Sequence, residues 1–185
     1  MRLETIAERC GVEPSGYRES NGWIGEGDPC PVSVLHVLEA TEGGTRRWLE
    51  NVVTGLDPAR VRSACVCSLR RDPGFAEVVE RFRRQGVPVW VVDMRREISP
   101  AADLRALSQV TRILREEQFD VVHGHSAKGG MIARLAARRA GHSCAVYTPH
   151  AFPFLAGGLS GLVYRALERC AIRLTRALLA VSGAE

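Results

Sequence analysis

From Val32 onward, short apolar runs rich in β-branched residues alternate with longer runs in which apolar residues recur every three or four positions. The short runs, at 32–39, 61–69, 87–93, 120–125, 143–148 and 177–181, are nearly continuous in apolar character, as strands buried on both faces of a parallel sheet are. The longer runs predict helices. Phe75, Val78, Val79 and Phe82 mark one, and Leu104, Leu107, Val110 and Leu114 a second. Leu159, Leu162, Val163, Ala166, Leu167, Cys170 and Leu174 mark a third. Ser99 before Pro100 reads as a cap followed by a first-turn proline. The series predicts an α/β fold: a Rossmann-like, doubly wound, mainly parallel sheet of six or more strands.

Residues 1–30 lack sustained periodicity, and GWIGEGDPCP at 22–31 has loop composition, so a loop-rich leader is expected at 1–30 and the folded domain at 31–185. Within the leader, TIAERCGVEPS is similar to the opening of a helix-turn-helix. GYRESNGWIGEG after it would make a poor recognition helix, and no nucleic-acid partner is expected.

Composition narrows the class. The 185 residues, 45% hydrophobic and 25% charged, exclude disorder and fibre and fit one core. No window offers the roughly 18 consecutive apolar residues needed to cross a bilayer, and the acidic start does not resemble a secretory signal, so a cytoplasmic location is expected. The six cysteines form no Cys-x-x-Cys pair, and Cys65 and Cys67 read as small buried thiols. The net charge of +4 rests almost wholly on arginine, because the sole lysine is Lys128.

Ligands of an open parallel sheet bind beyond the carboxyl ends of its strands, and three such ends carry candidate chemistry. After the first strand, Gly43, Gly44 and Thr45 open a helix whose free amides and dipole suit an anion, worth about 0.3–1 kcal/mol at an exposed site. Two glycines in a βα turn also satisfy simple turn geometry. After the fourth strand, VVHGHSAKGG supplies His123, His125, Ser126 and Lys128. A metal could use His123 and His125, but few further ligands follow downstream, and none is expected. The alternative is that His123 is a packed strand residue and His125 caps the next helix. After the fifth strand, YTPHAFPF places His150 beside Pro149. Ser126 and His150 could approach one another, yet no G-x-S-x-G elbow surrounds Ser126.

The order of βα units, EGGTRRWLENVV, DVVHGHSAKGGMIARLAARRAG, VYTPHAFPF and the closing YRALERCAIRLTRALLAVSGAE together resemble the amino-terminal, acceptor-side domain of family 4 glycosyltransferases of the GT-B fold, over about 32–185. The bacterial enzymes of polysaccharide and lipid-linked oligosaccharide assembly are the most similar. The resemblance implies retaining transfer of a sugar from a nucleotide-diphosphate donor to an acceptor hydroxyl, with no metal or other cofactor. It implies that Gly43, Gly44 and Thr45 lie near donor phosphate or acceptor, that His150 sits by the reacting sugar as the catalytic candidate, and that His125, Ser126 and Lys128 line the acceptor side. A second, donor-binding domain belongs to such enzymes. Ser182-Gly183-Ala184-Glu185 has the form of a capping box that opens another helix, so the chain is expected to be the first half of a longer design, incomplete alone.

Arg165, Arg169, Arg173 and Arg176 form one basic face of the penultimate helix, either solvated or docked on an anionic membrane where a lipid-linked acceptor waits. Two other functions compete with transfer: a glycan or lipid-linked-sugar binding module, and a metal hydrolase built on His123 and His125.

Overall fold

A computed structural model describes residues 31–150 and 158–180, together with Gly11. Its sheet has six parallel strands: β1 (Val32–Leu38), β2 (Val61–Cys67), β3 (Val89–Val91), β4 (Val121–His125), β5 (Ala145–Thr148) and β6 (Ala177–Leu178). Their order is β3-β2-β1-β4-β5-β6, so the direction of winding reverses between β1 and β4. All six expected strands are present, trimmed at their ends. The leader at 1–30, apart from Gly11, and the capping-box residues at 182–185 lie outside the described residues.

Among the described residues, five α-helices connect the strands: α1 (Gly43–Gly55), α2 (Ala76–Arg84), α3 (Pro100–Glu116), α4 (Ser126–Ala140) and α5 (Gly158–Ala171). The alternation of the strands decides which helix covers which face. Leu38, Cys65 and Cys67 point to α1 and α2, where they meet Leu49, Phe75, Val78, Val79 and Phe82. Leu35, Val37, Val66 and Val122 point the other way, onto Ala106, Val110 and Ile113 of α3 and Ile132, Ala133 and Ala136 of α4. Cys65 and Cys67 are buried, as expected, and burial pushes the Cys67 thiol up to about 12 and the Cys65 thiol further in the same direction. At the start of α3 the Ser99 hydroxyl makes no capping bond. The Asp103 carboxylate accepts from the Ser99 amide at 3.1 Å instead, so the cap works from the helix side.

The packing of α4 on the sheet depends on missing side chains. A Cβ at Gly124 would stand 2.6 Å from Gly130 Cα, and one at Gly130 would stand 2.3 Å from the Tyr147 ring. These glycines therefore bring helix and strand into contact. Close by, Arg134 is fully buried, with its guanidinium 4.1 Å from the Tyr147 ring centroid and bridged at 3.1 Å by both oxygens of Glu168. The Tyr147 hydroxyl donates to the same carboxylate at 3.2 Å, so one buried network fixes α5 to α4 and β5.

The third apolar run forms α5, in which Leu162 is 59% exposed and Leu167 39%, with Cys170 exposed too. One expectation about it is corrected: the four arginines do not share one helical face, because α5 ends at Ala171. Arg173 lies in a 3₁₀ turn and Arg176 in the entry to β6, where its amide donates to Ala145. All four are nonetheless exposed.

Candidate active site

β1 and β4 run in register, with His36 beside His123 and Leu38 beside His125. Side chains two apart share a face, so His36, His123 and His125 all project beneath α1, and each is fully buried. Beyond the end of β5, His150 joins them. The His36 Nδ1 to His125 Nε2 distance is 3.2 Å, and that from His125 Nδ1 to His150 Nε2 is also 3.2 Å, so three rings form one chain that ends on half-buried His150. His123 stands beside this chain, its ring centroid 4.1 Å from that of His125 and its Nε2 2.8 Å from the Thr148 hydroxyl. Trp48 of α1 covers the group, with its indole 4.7 Å from His125, 5.4 Å from His123 and 5.7 Å from His150 between ring centroids.

Burial determines the charge of the group. Desolvation brings His36 down to about 4 and pulls His123 and His125 well below the usual imidazole value, with the neighbouring histidines adding in the same direction. At neutral pH these three rings are uncharged. Two of their nitrogens, His36 Nε2 and His123 Nδ1, are buried without a hydrogen-bond partner among the described residues.

The backbone at this edge is unusual. Among the described non-glycine residues, only Ser126 (φ 55°) and His150 (φ 57°) are left-handed, a conformation that costs of order 1–3 kcal/mol and gathers at functional sites. His125 ends β4 and Ser126 begins α4 with no loop between them. The Ser126 hydroxyl is buried and makes no hydrogen bond among the described residues, so it is not paired with His150 as a catalytic triad requires.

The remaining candidates lie on the same carboxyl edge. Gly43 opens α1 with φ 58°, Gly44 has nothing within 4 Å of where a Cβ would be, and Thr45 is buried. The Gly43–Gly44 surface can thus admit a ligand close to the backbone. Lys128 points elsewhere: its ammonium is held by both oxygens of Asp103, at 2.7 and 2.8 Å, and by the Glu97 carbonyl at 3.0 Å. Glu39, at the end of β1, is 3% exposed. Burial raises its carboxyl despite the opposing charge of Arg71, whose guanidinium lies 3.3 Å away.

As for a metal, one ring nitrogen from each of His36, His123 and His125 lies within 4.8 Å of the other two. A three-imidazole set suits zinc. The fit is poor in one respect: ligation through both nitrogens of the 3.2 Å His36–His125 contact would move the His36 proton to Nε2 and leave a buried N–H without a partner.

His36 and Trp48 escaped the reading of the sequence. Their signal was present: His36 interrupts an apolar strand at the position that registers with His123, and Trp48 lies one helical turn into the segment that follows the glycine pair.

Residues 43–185 match the model of the glycosyl transferase 4-like domain. The chain belongs to that family. Over 92 residues it is 38% identical to UDP-Gal:alpha-D-GlcNAc-diphosphoundecaprenol alpha-1,3-galactosyltransferase of Escherichia coli, a match covering 49% of this chain and 24% of that protein. The fold is shared with MurG of Acinetobacter baumannii at TM-score 0.58 and 17% identity, over 83% of this chain and 42% of that one. A Listeria monocytogenes protein assigned as a UDP-N-acetylglucosamine 2-epimerase has TM-score 0.62 and 14% identity, over 81% of this chain and 39% of its own. This glycosyl transferase 4-like domain thus has the fold of a GT-B amino-terminal domain, and the chain spans about a quarter of the curated relative and two fifths of the two solved chains.

Proposed function

We propose that this domain is the acceptor-side half of a retaining glycosyltransferase that moves a sugar from a nucleotide-diphosphate donor to a glycan or lipid-linked acceptor. The observation that carries the reading is the position of His150: on a left-handed residue at the carboxyl edge, linked through His125 to β4, beside the β1–β4 reversal where open sheets bind ligands. An imidazole held in place suits orientation of an acceptor hydroxyl or donation to a developing negative charge. The open backbone at Gly43 and Gly44 is the surface for donor phosphate or acceptor, with Thr45 behind it. His125 and Ser126 complete the acceptor side. Lys128 contributes there through Asp103 and the start of α3 rather than as an unpaired charge.

In this reading the folded domain spans 31–185, and a donor-binding domain supplies the nucleotide site. No metal takes part in the transfer step. Docking on the inner face of the membrane, through Arg165, Arg169, Arg173 and Arg176 and the exposed leucines of α5, would bring the domain to a lipid-linked acceptor.

The test pairs this chain with a donor-binding half supplied separately, and follows labelled sugar from a panel of nucleotide sugars onto undecaprenyl-linked and soluble acceptors. Transfer that falls at least a hundredfold in His150→Ala supports the reading. A well-folded pair that binds acceptor and transfers nothing overturns it in favour of a non-catalytic glycan-binding module.

A further inference from the structure

Two of the arginines that leave the α5 face, Arg173 and Arg176, border a cavity. The end of α4, the approach to β5 and the turn before β6 enclose about 400 Å³, with Arg138, His142, Ser143, Arg173, Thr175 and Arg176 in its walls. β5 and β6 are parallel, and Ser143 and Arg176 stand just before them, so the cavity lies at the amino edge of the sheet, opposite the edge that carries His125 and His150. Among the described residues no carboxylate lines it, and Arg138 and Arg173 form no ion pair. Glu168 of α5 does not answer these charges, because its carboxylate accepts from Arg134 and Tyr147. Free carbonyls at the end of a helix repel an anion, but here they are capped. Gly141, at φ 84°, donates to the Ala137 and Arg138 carbonyls, His142 donates to that of Ala137 at 2.9 Å, and Arg115 donates to that of Arg139, also at 2.9 Å. Arg138, exposed in the last turn of α4, therefore lends its charge to the cavity. The His142 ring faces the Leu114 carbonyl, 3.2 Å from Nε2, and the Thr175 hydroxyl donates to the Ala171 carbonyl at 3.2 Å. Ser143, exposed, keeps its hydroxyl toward a ligand as a neutral donor.

We infer that this cavity is an anion site for a phosphate ester: Arg138 and Arg173 take the phosphoryl oxygens through their guanidinium forks, Arg176 adds positive potential, and the Ser143 hydroxyl donates. Its volume falls in the range of small-molecule sites, so the alcohol that carries the phosphate has room as well. The ester is either a soluble one or the headgroup of an anionic lipid, which presents the same oxygens. Only the second source bears on the membrane docking proposed above, and the site itself does not rest on the transferase reading.

The test titrates inorganic phosphate and glycerol phosphate into the whole chain labelled with ¹⁵N, at constant ionic strength and with sodium chloride as reference, and follows the backbone amides by NMR. Saturable shifts are expected at 138–145 and 172–177. Arg138→Gln with Arg173→Gln should weaken binding about tenfold or more, through the loss of charged hydrogen bonds. Arg139→Gln, at an exposed arginine of the same helical turn that does not line the cavity, should leave it unchanged. Vesicles of phosphatidylglycerol in phosphatidylcholine separate the two sources. Vesicle binding that glycerol phosphate competes away, and that the double variant loses, assigns the site to a headgroup; vesicles that leave the glycerol phosphate titration unaltered assign it to a soluble ester. Shifts that fail to saturate, or that chloride reproduces, overturn the inference whichever variants fold. So does equal weakening in Arg139→Gln and the double variant, the mark of diffuse attraction. Sugar transfer enters none of these readings: failure in the reconstituted transfer assay leaves the anion site standing, and an empty anion site leaves the transferase reading standing.

Discussion

Lowering the pH is expected to destabilise the domain before its ordinary carboxylates titrate, and His36 provides the measure. In the unfolded chain this imidazole takes up a proton near pH 6.5, whereas in the fold burial holds it to about 4. A group whose folded value is depressed contributes stability that is present above the unfolded value and lost as pH falls, because the unfolded state binds more protons. Between pH 7 and pH 5 the unfolded imidazole passes from mostly neutral to mostly charged while the folded one stays neutral. The cost from His36 alone is about 2 kcal/mol, from 1.36 kcal/mol for each unit of pH below the unfolded value. His123 and His125 act in the same direction. Glu39 works against them, since its carboxyl is raised and the fold gains by protonating it. The comparison therefore uses Glu39→Gln as the background, with and without His36→Phe. Urea unfolding at the two pH values, with a slope of about 2 kcal/mol per molar, should show the histidine-containing protein losing about 1 M more in its midpoint than the His36→Phe version. Equal losses in the two proteins would refute the assignment of His36 as a buried neutral imidazole.

Three further outcomes follow from the packing. Gly130→Ala should cost about 1–3 kcal/mol in urea unfolding, because the added methyl displaces the Tyr147 ring; Gly44→Ala, with open space around it, should change stability by less than about 0.5 kcal/mol. Arg134→Met should cost about 3–5 kcal/mol by stranding the Glu168 carboxylate, and adding Glu168→Leu should recover most of that loss in a thermal melt. Vesicles rich in anionic lipid should carry the domain upward in flotation at low salt, and Arg→Gln at 165, 169, 173 and 176 together should abolish it; unchanged flotation removes those arginines from any membrane contact.

The strands were legible because a parallel sheet buried on both faces must be written in continuous apolar runs, and β1, buried along its whole length, is such a run. α5 was legible as a helix, but its surroundings were not: periodicity reports that a helix has an apolar side, not what that side meets, and Leu162 and Leu167 remain exposed. The candidate site was partly readable, since His125 and His150 fall at strand ends that any βα series points to. His36 stood out in the sequence only as a polar break in an apolar strand; its partnership with His123 depends on pairing two strands separated by two intervening helix–strand units, which spacing along the chain does not reveal. Nothing in the sequence sets Arg134 apart from Arg138 and Arg139 on the same helix. Only the approach of Tyr147 over Gly130 makes room for it inside.

The direct junction of His125 and Ser126 constrains how this protein can vary. A joint without a loop cannot absorb an inserted residue: one more would turn every following side chain of α4 by about 100° and lift its glycines off the sheet. The connection after β1, residues 39–42, separates its strand from its helix and can absorb a change of length. Variation in length among descendants of this sequence is therefore expected there, around a histidine pair whose place is fixed by the helix behind it.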